Sequence, residues 1–284
     1  LIPQSMFMFP IKVIEYLNQK NVNFIFWVPS ALVLMAPALE KMKPDYLKKV
    51  LFCGEAMPNK QLNIWRKHLS DVFYANLYGP AETVDASTYY IVDRKFEDSE
   101  PLPIGKPFKN TRIMLLDDNL ELIEEPNVTG ELYILGSSLA MGYYNNIDKT
   151  KEAFVQNPLN KLYIENAYKT GDLAYYNEYK ELVYSSRKDF QIKHMGYRIE
   201  LGEIENVTLG IKEISQVACV YDDINKKIIL FFEGEEIDNK EVLNYLKNKL
   251  PNYMMPSKVK YVKELPHNAN GKIDRKKLKE MLGD

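Results

Sequence analysis

The sequence predicts an α/β protein with a parallel-sheet core, a small β-barrel-like subdomain and a small α+β C-terminal domain. Three observations predict this fold class. Helix-like and strand-like runs alternate over residues 10–92, as in strand–helix–strand units that build a parallel sheet covered by helices. From about residue 100, short strands are separated by turn clusters. After residues 187–189 the pattern changes to helices mixed with short strands.

The first 100 residues contain three helix-like and three strand-like runs. Ser30 is a fair N-cap for the second helix, and Pro58 begins the third. The strands are rich in β-branched and aromatic residues, as buried strands are. The predicted helices cover residues 11–19, 31–40 and 58–68, and the predicted strands cover residues 22–27, 50–53 and 72–77.

The later elements divide the chain into a large unit, residues 1–188, and a small unit, residues 189–284. Residues 101–188 form the β-rich part of the large unit, with strands predicted over 112–116, 131–135, 172–176 and 182–185. In the small unit we predict helices over 203–209 and 239–250, and strands over 217–221, 227–232 and 258–262. The tight-turn signal at residues 268–271 then presents Lys272 at the end of a loop.

The composition is that of an ordinary globular protein. With a net charge of −2, the chain has no surplus of basic residues for broad nucleic-acid binding. No apolar run approaches the ~18 residues of a membrane span, so we expect no membrane insertion. The two cysteines, Cys53 and Cys219, form no CxxC pair. This argues against structural zinc and a disulfide framework, and suits a reducing cytoplasm.

Two segments end predicted strands with residues suited to a nucleotide. In Asn76 to Glu82 (NLYGPAE), a buried strand ends in a Gly-Pro turn with an aromatic residue before it and a carboxylate after it. Such a site can stack a base and hold magnesium, but a strand-to-helix turn with a dipole-favoured Glu is an equal alternative. In Tyr168 to Leu173 (YKTGDL), Asp172 can accept hydrogen bonds from ribose hydroxyls, but taken alone it is better explained as a solvated turn residue.

Two further segments lie in the small unit or border it. Residues 187–193 (RKDFQIK) continue to GYRIELGEIE at 196–205, which reads as a linker or as a charged loop before an amphipathic helix. In Asn270 to Arg275 (NGKIDR), Lys272 can carry a positive charge onto an oxyanion or a phosphate. Taken alone, it is better explained as a surface lysine.

Together, in this order and spacing, these segments resemble the superfamily of acyl-CoA synthetases, peptide-synthetase adenylation domains and luciferases. Residues 130–136 (GELYILG) and 141–146 (MGYYNN) resemble a further segment of that superfamily. The resemblance covers nearly the whole chain. The sequences YMMPSK at 253–258, FCGE at 52–55 and DFQ at 189–191 resemble D-alanine:carrier-protein ligases, with peptide-synthetase adenylation domains close behind.

The resemblance implies a role for each matching position. Tyr78 would stack on adenine, with Asn76 and the backbone of Gly54, Glu55 and Ala56 at its edge. Asp172 would bind both ribose hydroxyls with Arg187 nearby, and Glu82 would hold Mg²⁺. Lys272 would serve adenylation, and Lys193 would enter the site for thioester formation after the small domain rotates about Asp189. The amino-acid pocket would be lined by Phe26, Leu51, Cys53, Leu77, Asp85 and Ala86.

The implied function is ATP-dependent activation of an amino acid to an aminoacyl-AMP, with release of pyrophosphate. The acyl group then passes to the phosphopantetheine thiol of a carrier protein. ATP or AMP and Mg²⁺ are the implied cofactors, and an amino acid and a carrier protein are the implied partners. A cation such as Lys272 would help two anions, the carboxylate and the α-phosphate, to meet.

Three positions depart from the pattern of the superfamily. Ala81 stands where Thr is usual, and Ser186 stands where Gly is usual before Arg187. Asp85 is unusual in a pocket for a small apolar amino acid, because a partly buried carboxylate needs a partner. A substrate with a second amine or a hydroxyl is therefore an alternative to D-alanine.

The glycine-rich loop that cradles ATP phosphates in the superfamily is missing from residues 1–284. We therefore expect a C-terminal fragment, with a truncated core, that adenylates poorly on its own. Two rival functions stay open. One is an acyl-CoA synthetase, and the other is a non-catalytic nucleotide-binding or carrier-docking scaffold.

Overall fold

The computed structural model describes residues 2, 4–188, 191–194, 197–222, 224–268 and 271–282, without the side chains of Gln4, Ser5, Gln191, Lys193 and Arg198. A mixed sheet and then an antiparallel sheet follow one another along the chain. A two-stranded hairpin and a small three-stranded sheet with helices come after them. The predicted fold class is confirmed. No helix in the described ranges combines the length and the apolar character needed to cross a membrane.

The first sheet has the order β1-β2-β3-β4-β5. Its parallel strands are β1 (Phe24–Trp27), β2 (Lys49–Cys53) and β3 (Phe73–Tyr78), and β4 (Thr88–Ile91) and β5 (Lys106–Pro107) extend it in antiparallel pairing. The three parallel strands agree with the predicted ones to within two residues. The antiparallel extension was not predicted. Its strands are short, and long-range pairing defines them.

Helix α1 (Pro10–Gln19) precedes β1, while α2 (Pro29–Met35) and α3 (Asn59–His68) lie between successive parallel strands. They share a core with one face of the sheet, which includes the buried side chains of Leu32, Phe52 and Trp65. The prediction for the second helix was wrong at both ends. Val28 is its N-cap, Ser30 lies in its first turn, and residues 36–40 continue as a 3-10 helix that contains Pro37.

The second sheet is antiparallel, with the order β10-β9-β7-β6 and with β8 paired to β9. Its strands are β6 (Thr111–Leu116), β7 (Gly130–Gly136), β8 (Phe154–Gln156), β9 (Asn166–Tyr176) and β10 (Leu182–Arg187), and α4 (Ile147–Ala153) precedes β8. Strand β9 begins six residues before the predicted strand because it pairs with both β7 and β8.

The C-terminal elements begin with a hairpin of β11 (Gln191–His194) and β12 (Tyr197–Glu200). A three-stranded sheet follows, in which β14 (Lys227–Gly234) pairs with β13 (Ile214–Asp222) and β15 (Lys258–Tyr261). The helices are α5 (Leu201–Thr208), α6 (Asn239–Lys247) and α7 (Arg275–Glu280). A core containing Ile204, Leu230 and Leu246 joins α5 and α6 to this sheet. The hairpin and α7 were not predicted.

Candidate functional site

A cavity of about 410 Å³ lies where the carboxyl ends of β2 and β3 meet β10, α5 and the loop before α7. Its volume falls within the range of roughly 300–1,000 Å³ typical of small-molecule sites. Nine of the predicted site residues line it: Gly54, Glu55, Ala56, Asn76, Leu77, Tyr78, Asp172, Arg187 and Lys272. The structure therefore brings residues from five separate sequence segments to one cleft.

Glycine forms the floor of the cleft at the end of β3. A Cβ atom on Gly79 would lie 2.6 Å from both the carbonyl oxygen of Asp85 and the amide nitrogen of Ser87. Because backbone atoms cannot move aside as a flexible side chain can, only glycine fits here. This close approach folds residues 84–87 back against the strand end, and the amide of Ser87 donates to the carbonyl of Tyr78 at 2.7 Å.

Three of the predicted nucleotide-binding residues contact one another. The hydroxyl of Tyr78 donates to Oδ2 of Asp172 at 2.5 Å, and Nη1 of Arg187 lies 3.2 Å from Oδ1 of the same carboxylate. Arg187 is opposite Asp172 in the β9–β10 register. Burial and the neighbouring Asp172 carboxylate raise the pKa of Tyr78, so its hydroxyl stays protonated. A carboxylate has about four acceptor positions, so it can accept hydrogen bonds from several donors at once.

Asn76 and Glu55 form the adjacent wall. The buried amide of Asn76 donates from Nδ2 to the carbonyl of Pro103 at 2.9 Å, which fixes the side chain and leaves its oxygen as an acceptor. The carboxylate of Glu55 accepts the amide hydrogen of Ser30 at 2.9 Å, within the first turn of α2. The role implied for the Glu55 backbone is accompanied by a side-chain contact that the sequence did not indicate.

Glu82 lies beside the cavity rather than among its described lining residues. Its Oε1 accepts a hydrogen bond from the hydroxyl of Tyr143 at 2.6 Å. Burial alone would raise the pKa of Glu82, but hydrogen bonds from Tyr143 and Tyr168, with the charge of Arg187, leave it below its usual value. An ionised carboxylate with acceptor capacity to spare suits Mg²⁺, which protein sites commonly bind through one or two carboxylates together with substrate phosphates.

Lys272 reaches the cleft from a turn between His267 and Ile273, which form an antiparallel bridge. The backbone carbonyl of Lys272 accepts from the amide of Asn268 at 2.8 Å. Its Cε lies 3.9 Å from the position that a Cβ on Gly54 would occupy. The exposed side chain therefore lies at the carboxyl end of β2.

The predicted amino-acid pocket is placed only in part. By strand register, Phe26, Leu51, Cys53 and Leu77 share one face of the first sheet, and Phe26 is 43% exposed. Burial and then the charge of Asp85 raise the pKa of Cys53 to about 11, against the opposing charge of Lys272. Ala86 follows Asp85 in the loop against Gly79, and Asp85 is exposed, contrary to the expectation of partial burial.

Two predicted positions cannot be placed in the cleft. Asp189 lies outside the described residues. Lys193 lies in β11 opposite Arg198, and its side chain is among those not described.

Sequence reasoning missed other residues that line the cavity, among them Tyr184, Glu205 and Arg275. Tyr184 lies with its ring 6.3 Å from that of Tyr78, and burial raises its pKa. Glu205 and Arg275 form an ion pair in which both carboxylate oxygens accept from Nη2, at 2.9 and 2.8 Å. Arg275 follows Lys272 within NGKIDR, and Glu205 ends GEIE, so both motifs were visible. Their pairing across 70 residues was not.

The chain matches a known family over most of its length. The family model described as AMP-binding enzyme matches residues 1–144, and the model described as AMP-binding enzyme C-terminal domain matches residues 203–272. Zwittermicin A synthase ZmaJ of Bacillus cereus is 35% identical over 282 residues, which cover 95% of this chain and 53% of that relative. The chain thus spans about half the length of this curated relative.

Solved structures share the fold. Klebsiella oxytoca NpsA in complex with 3-hydroxyanthranilyl-AMSN superimposes with a TM-score of 0.86 at 21% identity, covering 100% of this chain and 57% of that one. Holo-AB3403, a four-domain nonribosomal peptide synthetase bound to AMP and glycine, gives a TM-score of 0.79 at 30% identity. That match covers 97% of this chain and 20% of the synthetase chain.

Proposed function

Because the chain belongs to the AMP-binding enzyme family, we propose that it is the nucleotide- and acyl-binding part of an amino-acid adenylating ligase. The single observation that carries the proposal is the Tyr78–Asp172–Arg187 network in a cavity that Lys272 also enters. The cleft thus contains the aromatic ring of Tyr78, the Asp172 carboxylate as an acceptor for ribose, and two cationic side chains. The similarity to a peptide synthetase bound to AMP and glycine supports an amino acid as the second substrate.

In the proposed reaction an oxygen of the amino-acid carboxylate attacks the α-phosphorus of ATP. The bond from phosphorus to the amino acid forms, the bond to the β-phosphate oxygen breaks, and pyrophosphate leaves. Tyr78 and Asp172 orient the adenosine, while Lys272 stabilises the negative charge that gathers between carboxylate and phosphate. Mg²⁺ held by Glu82 would neutralise phosphate charge.

The second half-reaction would transfer the aminoacyl group to a carrier-protein thiol, releasing AMP and forming a thioester. For this step we propose that residues 189–284 form a mobile unit that pivots near Asp189 and brings Lys193 to the site. One cleft would then serve two reactions in turn, as in other enzymes whose domains rearrange between steps.

The amino acid itself is the least constrained part of the proposal. Asp85 makes no hydrogen bond or ion pair with any residue that the structure describes. Because Asp85 is exposed, water solvates its carboxylate, and it is the negative charge itself that favours a substrate with a second amine or a hydroxyl over D-alanine. We therefore favour a peptide-synthetase type of adenylation domain for a polar or basic amino acid, with a D-alanine:carrier-protein ligase as the second candidate.

Non-hydrolysable aminoacyl-AMP analogues test this proposal without requiring turnover. We would measure binding of 5′-O-(N-aminoacylsulfamoyl)adenosines that carry D-alanyl, seryl, ornithyl or octanoyl groups. We expect the ornithyl or seryl analogue to bind at least ~10-fold more tightly than the D-alanyl one, and Asp85→Asn to remove that difference. Tightest binding of the D-alanyl analogue would select the carrier-protein ligase, and tightest binding of the octanoyl analogue an acyl-CoA synthetase.

A further inference from the structure

Lys60, in the first turn of α3, contacts a distant part of the chain. Its ammonium donates to the backbone carbonyls of Ile211 and Ile214, each at 3.2 Å, and to the carbonyl of Lys212 between them. These carbonyls belong to the turn that joins α5 to β13. An ammonium carries three N–H donors, so this turn satisfies all of them.

The surroundings of Lys60 are partly desolvated and acidic. Burial lowers the pKa of Lys60, and the nearby carboxylates of Asp98, Glu213 and Glu235 oppose that effect. Beside the contact, a Cβ on Gly210 would lie 3.1 Å from Cβ of Ser99 and 2.4 Å from Oη of Tyr245. At Ser99 the turn therefore packs closely against the first half of the chain. Lys60 contacts the same turn.

An ion pair links the helix before this turn to the segment that carries Lys272. Helix α5, which leads into the turn, carries Glu205, and Glu205 holds Arg275 through both carboxylate oxygens. The carboxylate of Glu205 also accepts the amide of Cys219 in β13 at 2.6 Å. Arg275 lies three residues after Lys272. Contacts that fix the position of the turn therefore also restrain the segment that carries Lys272.

We propose that Lys60 is a positioning residue that clasps the α5–β13 turn onto α3 and thereby keeps Lys272 at the carboxyl end of β2. The proposal rests on the proposed function only for what Lys272 does there. If the C-terminal elements pivot between two half-reactions, the clasp selects the arrangement in which Lys272 faces the nucleotide. Its contacts are hydrogen bonds to backbone oxygens, which can break and re-form without repacking a core.

AMP binding and hydrogen exchange together test the clasp in the full chain. Lys60→Met keeps the aliphatic stem and removes the donors, Lys60→Arg restores donors, and Lys67→Met on the same helix is the matched control. We expect Lys60→Met to weaken AMP binding about 10-fold, because the competent arrangement is less populated. Lys60→Arg should recover part of the loss, and Lys67→Met should cause none.

A double-mutant cycle tests whether Lys60 acts through Lys272. If it does, the Lys60→Met, Lys272→Met double variant should bind AMP no more weakly than Lys272→Met alone. Additive losses, or unchanged AMP binding in Lys60→Met, would overturn the positioning role.

Hydrogen exchange separates the clasp from the proposed function. Amides of residues 209–215 should exchange faster in Lys60→Met than in the wild type or Lys67→Met. Should the wild-type chain bind no AMP, the proposed function is wrong, and exchange alone decides the clasp. Unchanged exchange at 209–215 in Lys60→Met would then overturn it.

Discussion

The two ends of the cleft differ in how their side chains are held. At the nucleotide end, Asp172 is hydrogen-bonded to both Tyr78 and Arg187. At the acyl end, neither the carboxylate of Asp85 nor Nζ of Lys272 has a hydrogen bond or ion pair with a described residue.

The difference indicates that the two ends recognise their ligands by different means. When a ribose binds to side chains that are already held by one another, little further conformational entropy is lost. Such a network suits a ligand common to a whole family. Charges without partners favour a ligand that supplies the opposite charge, which suits selection among amino acids. The predictions that follow test each end separately.

The largest effect is expected at Asp172. Asp172→Asn should weaken AMP binding by roughly 10- to 150-fold, because a hydrogen bond to a charged group contributes about 1.5–3 kcal/mol. Isothermal titration calorimetry with AMP and 2′-deoxy-AMP measures this loss. In the wild type the deoxy ligand should bind more weakly, and in Asp172→Asn the two ligands should converge.

The matched control is Asp45→Asn, an exposed carboxylate in the loop between α2 and β2. It should leave both titrations unchanged. If Asp172→Asn retains the full preference for AMP over 2′-deoxy-AMP, the ribose is not bound at this carboxylate.

The next effect concerns the floor that both ends share. Gly79→Ala should lower the free energy of unfolding by about 3 kcal/mol, because its Cβ would meet backbone atoms at 2.6 Å. Urea denaturation measures this change. Gly271→Ala is the comparison, since no atom lies within 4 Å of its Cβ position and only its φ of +79° is strained. We expect it to cost about 1 kcal/mol, and equal costs would contradict the close approach at Gly79.

The smallest effect uses Cys53 as a reporter of the acyl end. Its pKa should be near 11, lower in Asp85→Asn and higher in Lys272→Met, because the two charges act in opposite directions. The pH dependence of iodoacetamide labelling, resolved for the Cys53 peptide by mass spectrometry, measures it. Shifts of the same sign in both variants would show that Asp85 and Lys272 do not flank this thiol.

The same thiol has a consequence for stability. The folded-state pKa of Cys53 lies above the ordinary value of 9.0. Its contribution to the free energy of unfolding is therefore fully present below pH 9. That contribution should be lost as the pH rises towards 11. Cys53→Ala should therefore have a flatter stability profile than the wild type between pH 9 and pH 11, measured by urea denaturation.

Local patterns predicted the parallel strands well, because a buried strand such as Val50 to Cys53 is a continuous apolar run whatever surrounds it. They failed where tertiary packing decides. The helix expected over residues 31–40 ends at Met35 and tightens to a 3-10 form around Pro37. The strands of the β11–β12 hairpin are only four residues each, and neither has a distinctive pattern.

For the candidate site, sequence motifs predicted the identity of the residues better than they predicted the contacts between them. Tyr78, Asp172 and Arg187 were singled out separately, and the structure places them within hydrogen-bonding distance. Contacts such as Glu205 to Arg275 and Lys60 to the α5–β13 turn span 70 and about 150 residues. Sequence spacing carries no information about such pairs, so the roles of these residues came only from the fold.

A crystal structure of the chain with AMP tests the central claim most directly. We predict the adenine against the ring of Tyr78, both ribose hydroxyls on the Asp172 carboxylate, and the phosphate directed towards Lys272. Nucleotide bound at another surface, or a cleft without nucleotide at saturating AMP, would contradict it.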